Sequence, residues 1–255
     1  MSENPAAQNP ARLTRAHVTP FAVFMGFMFV LMLVAAKIEW RHPEAPWWRQ
    51  DPAHFIYPIQ TLVTLGVLIY YWRSYDFRWS WKGSMAGLVL GAIGIGFWLL
   101  PTVLYDFWNL TGKTSGLLRF LGVDARGEGF DPSVFENPAA WWSVVVLRFL
   151  RAVVVVALVE EIFWRGFLMR FVCDWEGDYW KQPFGRPHWK SYAIVTGMFM
   201  LAHAPIDYAG AWVYGSLTYL LCVWSKSLGA CVIMHATANL LMGLYIMAYG
   251  KYGLW

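Results

Sequence analysis

The sequence predicts an all-α fold, a polytopic transmembrane bundle of seven or eight helices, and three observations carry that expectation. The first is composition: of 255 residues, 58% are hydrophobic and 14% charged, against roughly 25% charged in ordinary soluble domains. The second is a series of apolar runs, each of about the length that crosses a bilayer core. The third is the placement of aromatic residues: 17 Trp, 13 Tyr and 17 Phe exceed what one small soluble core needs, but they suit helix ends standing in two headgroup layers.

The apolar runs occupy about 19–38, 55–72, 84–105, 141–163, 191–206, 209–224 and 228–249. Residues 163–173 either extend the fourth run or form a short extra helix, because Gly166 permits a break without requiring one. Trp47 and Trp48 precede the second run and Trp72 follows it, Trp79 and Trp81 precede the third, and Trp141 and Trp142 the fourth. This is the pattern of an interfacial aromatic belt.

The segment 1–18 is expected to be a polar tail and 19–255 a single integral membrane domain, since no linker divides the chain. The first apolar run is read as an anchor. Val34-Ala35-Ala36 resembles a signal cleavage site only faintly, and the preceding run exceeds a typical signal-peptide core. Arg12 and Arg15 before the first run, with Arg73, Arg78 and Lys82 after the second, favour a cytoplasmic N-terminus, while Arg41 and Arg49 oppose it. The expected location is a bacterial inner membrane.

The net charge of +4 is small and its basic residues sit in short loops beside apolar segments, so lipid headgroups are the expected partner and nucleic acid is excluded. Cys173, Cys222 and Cys231 lack the spacing of a zinc site or a disulfide framework and read as small core residues. The connection 106–140 contains Gly, Asp, Asn and Pro but no repeat, and is a candidate lid or headgroup cap. No internal repeat points to a transporter of duplicated halves.

Ionisable groups inside apolar helices are costly, and each is a functional-site hypothesis. After Val153-Val154-Val155-Val156-Ala157-Leu158-Val159 come Glu160 and Glu161, with Arg165 one turn later. Glu161 and Arg165 share a helical face and can pair, whereas Glu160, rotated by about 100°, meets a different neighbour. Taken alone, the trio reads as a helix end in the headgroup region. His203 follows Phe199 near the end of a later run, and His235 and Asn239 lie four apart on one face of the last. A lone histidine or asparagine on such a helix is usually a hydrogen-bonded packing residue; three helices bearing these groups make coincidence harder to sustain.

A carboxylate near an imidazole can draw a proton from water, and an imidazole with an amide can donate to a developing oxyanion. Those are the needs of amide hydrolysis. Neither Gly-x-Ser-x-Gly nor His-Glu-x-x-His occurs, so the nucleophile would be water.

The ordered set Glu160-Glu161-x-x-x-Arg165-Gly166, Phe199-x-x-x-His203 and His235-x-x-x-Asn239 resembles the three-motif signature of the CPBP (CAAX protease and bacteriocin-processing, Abi) intramembrane proteases, over a core at about 141–249. The resemblance implies a helical fold enclosing a polar cavity. It implies Glu160 and His203 activating water, His235 and Asn239 stabilising the oxyanion, and Glu161 and Arg165 in support. It leaves zinc as an alternative cofactor, held by Glu160, His203 and His235, with metal-independent water activation favoured. The segment Ser227 to Tyr245 also resembles the exosortase and PEP-CTERM-associated subgroup, whose sorting components become expected partners beside a membrane-associated polypeptide substrate. A non-catalytic scaffold or immunity factor, or a proton-coupled transporter, would use the same buried charge differently.

Overall fold

The computed structural model describes residues 9–37, 51–127 and 129–255, and every regular element among them is helical. The helices are α1 (Pro10–Lys37), α2 (Ala53–Tyr70), α3 (Trp81–Phe107), the short α4 (Gly116–Phe120), α5 (Pro138–Cys173), α6 (Trp189–Leu201), α7 (Tyr208–Ser225) and α8 (Leu228–Tyr249). α1, α2, α3, α5 and α8 are long and apolar enough to cross a membrane. Their large apolar side chains, such as Phe29, Leu62, Val89 and Phe97, face outward, an arrangement that fits a hydrocarbon surround. Trp72, Trp79, Trp81 and Trp142 are exposed at helix ends, as a headgroup belt requires. Trp47, Trp48, Arg41 and Arg49 lie outside the described residues.

Helix starts follow local chemistry. Asn9 accepts a hydrogen bond from the Ala11 amide at 2.9 Å and Pro10 opens α1, so Arg12 and Arg15 stand within the helix. Asn137 caps α5 ahead of Pro138, and Ser80 and Ser227 cap α3 and α8. The sixth element differs from expectation. The run 191–206 ends as a helix at Leu201, because Pro205 has no amide to donate and forces Ala204 into an extended conformation, φ −65° and ψ 145°. With 13 residues, α6 is about 20 Å long, short of a bilayer core of about 30 Å.

Residues 163–173 extend the fourth apolar run, so α5 is continuous from Pro138 to Cys173. Its hydrogen bonding is unusual: the i→i+5 pattern runs over Leu150–Val156 and again over Ile162–Leu168, leaving a regular α-turn at Ala157–Glu161 between them. Such widened turns are rare and recur at functional sites.

The chain forms two compact units. One contains the described residues of Met1–Asp76 with Asp131–Phe163. Within it Gln60 bridges α1 and α5, donating to the Phe24 carbonyl at 2.8 Å and accepting from Arg151 Nε at 2.8 Å. Phe21 stacks on Phe163 at 4.0 Å between ring centres. The Tyr75 hydroxyl donates to the Ala16 carbonyl at 3.0 Å, and burial pushes its pKa above the ordinary tyrosine range.

The second unit contains Phe77–Phe130 and Trp164–Trp255. α3 and α8 meet along the buried glycines Gly83, Gly87 and Gly91, the small-residue contact that lets membrane helices approach closely. In the following connection, Asp124 accepts from the amides of Thr114 and Ala125 at 2.6 and 2.9 Å. These amides, the Thr114 one foremost, hold its carboxyl below the usual carboxylate range.

Candidate active site

His203 stands two residues beyond the end of α6, in the tight turn that Pro205 imposes. Its Nδ1 lies 2.7 Å from the Phe199 carbonyl oxygen. A carbonyl only accepts, so Nδ1 carries the proton and Nε2 of the neutral ring keeps its lone pair. The short helix thus delivers an imidazole with its tautomer fixed and its basic nitrogen available.

Around His203 the second unit builds an aromatic wall. Trp98 of α3 meets the ring edge to face at 5.0 Å, and Phe199 lies 4.6 Å away. Both also touch Tyr214 of α7, each at 6.1 Å. Tyr214 in turn packs edge to face on His235 of α8 at 5.8 Å. Gly94 makes room for Tyr214, since a Cβ there would stand 2.8 Å from the phenol ring. His203 and His235, far apart in sequence, therefore flank one cluster of rings.

Arg165 joins that cluster. Its guanidinium sits 5.2 Å from the centre of the Phe199 ring and its side chain is 1% exposed, a desolvated cation–π contact. His235 is buried and Asn239 half-buried. α8 is a regular α-helix through both, so the four-residue spacing keeps them on one face.

Glu160 and Glu161 belong to the other unit, on the α-turn between the two widened segments of α5. Glu161 is fully buried and Glu160 half-buried. Arg151 is close enough to Glu160 for their charges to attract, and its guanidinium is steadied by Gln60 and by the Tyr57 ring 4.2 Å away.

Sequence reasoning singled out six polar residues, and the second unit gathers His203, His235 and Arg165 around shared rings. It missed Trp98 and Tyr214, which no charge or spacing marks in an apolar helix. It also missed Asp207, whose place four residues after His203 was the available signal. Asp207 accepts from Trp98 Nε1 at 3.1 Å and from Arg126 at 2.6 Å. A cavity of about 800 Å³ in the same unit opens beside this turn, lined by Lys113, Arg119, Arg126, Pro205 and Asp207 among others. Among the described residues, no three His, Cys, Asp or Glu side chains are gathered as metal ligands.

Residues 141–241 match a family model described as type II CAAX prenyl endopeptidase, Rce1-like. The matched stretch contains Glu160, Glu161, Arg165, His203, His235 and Asn239. No curated protein matches the chain, and no solved structure does. Over residues 141–241 the chain is thus similar to type II CAAX prenyl endopeptidases, in line with its resemblance to the CPBP proteases.

Proposed function

We propose that the protein is an intramembrane endopeptidase that hydrolyses a peptide bond of a membrane-associated polypeptide. Glu160 and His203 activate water, and His235 and Asn239 stabilise the tetrahedral oxyanion. The observation that carries this reading is the fixed tautomer of His203, whose Nδ1 bond to the Phe199 carbonyl leaves Nε2 as the basic nitrogen. In the attack, water bonds to the scissile carbonyl carbon as its proton passes to the Glu160–His203 pair. The carbonyl oxygen gains the negative charge, then re-forms the C=O bond as the C–N bond breaks, and the same proton leaves on the departing amine. His235 and Asn239, on one face of α8, are suited to donate to that oxygen. Arg165 and Glu161 support the site as buried charges. Components of an exosortase-type sorting system are the first partners to examine, given the likeness of the last helix to that subgroup.

The chemistry is proposed to be metal-independent. The purified protein in lipid vesicles, given a host membrane fraction as substrate mixture, is expected to keep its cleavage activity under chelation and to contain far less than one equivalent of zinc. Asn239→Ala is expected to slow turnover by about 10²–10³, the usual loss for one oxyanion donor. Stoichiometric zinc, lost to a chelator together with activity and restored with it, would instead make Glu160, His203 and His235 ligands.

A further inference from the structure

The turn that follows His203 is tied to α3 by a polar relay that the hydrolytic reading does not use. Asp207 closes the short turn Pro205–Asp207. Its carboxylate takes Arg126 Nη2 at 2.6 Å and Nη1 at 3.4 Å, and the Trp98 indole N–H at 3.1 Å. Arg126 comes from the connection between α4 and α5, and its Nε donates to Thr102 Oγ1 at 3.0 Å. Trp98 and Thr102 are one turn apart on α3 and both are buried, so the whole relay is anchored to a single face of that helix.

The consequence falls on His203. The Trp98 indole that Asp207 holds by its N–H is the same ring that stands edge to face against the imidazole at 5.0 Å and 71°. The ion pair is well sheltered, with side chains 13% and 14% exposed. Such a pair is weak evidence for stability, because an apolar pair of equal volume often holds as well. What it supplies is direction, since two guanidinium nitrogens and an indole N–H together fix the orientation of one carboxylate.

The geometry points to Asp207 and Arg126 as positioning residues for hydrolysis. They hold the Trp98 indole that sets where the His203 ring stands, and they couple the connection bearing Arg126 to the site. This rests on the hydrolytic reading above. Neither residue needs to touch substrate. Small misplacement of a reacting group by a distant change can cost up to about 10²-fold in rate, and that loss belongs in kcat rather than in KM.

The test uses the full-length protein with its indoles labelled with nitrogen-15, the Trp98 resonance being the one that Trp98→Phe removes. Cleavage is followed on a polypeptide whose processing in cells depends on Glu160. Asp207→Asn and Arg126→Met are each expected to move the Trp98 indole resonance and to lower kcat by about 10- to 10²-fold at unchanged KM. Arg126→Lys is expected to restore most of the rate, and Trp98→Phe, which keeps an aromatic ring but loses the N–H, to match the Asp207 variant. If folded Asp207 and Arg126 variants lose thermal stability yet keep the wild-type kcat, the relay is only an anchor for the connection and the inference is overturned. Should Asp207→Asn fail to fold, a wild-type kcat in Trp98→Phe overturns it equally. A wild-type rate in His203→Ala would remove the hydrolytic reading and this inference together. An inactive His203→Ala beside fully active relay variants would remove this inference alone.

Discussion

His203 enters the site with one ring nitrogen committed to a backbone carbonyl, and the chemistry proposed for it follows from that bond. The sequence showed the imidazole and its partner motif, Phe199-x-x-x-His203, but not the reason for the spacing, which is that the carbonyl four residues back accepts the Nδ1 proton. Phe199 does a second job by placing its ring under the Arg165 guanidinium. Glu161 and Arg165 were expected to pair because four residues separate them. Both are buried, at 0% and 1% exposure, so neither charge can be neutralised by solvent if its surroundings change. On that expected pairing, Glu161→Gln and Arg165→Met should each reduce folded yield, by a stability loss of about 3–5 kcal/mol for leaving the other buried charge uncompensated, with part of the loss recovered in the double variant. Thermal unfolding in detergent reads this. Single variants that fold normally and lose only activity would place Glu161 at the reacting centre instead.

At the scale of elements, what the sequence showed clearly was the apolar runs, while the caps that start them came from the structure. Asn9-Pro10, Ser80, Asn137-Pro138 and Ser227 all stand where helices begin. Two features escaped. Pro205 was visible in Ala202-His203-Ala204-Pro205, yet hydropathy carried the run past it, and the backbone followed the proline rather than the hydropathy. The widened turns of α5 had no sequence signal, because a run such as Leu150–Val156 is apolar in either hydrogen-bonding pattern. Close helix approach is the other element-scale property, and it makes a prediction. A Cβ at Gly87 would stand 2.6 Å from the Ala230 carbonyl oxygen, whereas at Gly96 on the same helix it meets nothing within 4 Å. Gly87→Val is expected to destabilise the α3–α8 packing by about 1–3 kcal/mol, the usual cost of overpacking, while Gly96→Ala leaves unfolding temperature unchanged or raises it. Equal effects at the two positions would mean that the glycine contact does not set the helix separation.

For the molecule as a whole, composition and hydropathy were enough to establish an all-helical integral membrane protein, because lipid demands that backbone groups be satisfied within helices. Five helices are long and apolar enough to span, and the family match over 141–241 covers every polar residue that the sequence singled out. Ring contacts around His203 were not legible, since they join residues from α3, α6, α7 and α8 that nothing in a one-dimensional pattern connects. The central claim is proteolysis that depends on Glu160. Its most direct test compares the protein termini of cells expressing the wild type with those of cells expressing Glu160→Gln at equal folded levels. New termini in membrane-associated polypeptides, present with the wild type and absent with the variant, are the expected result. An identical set of termini from the two strains would contradict the account.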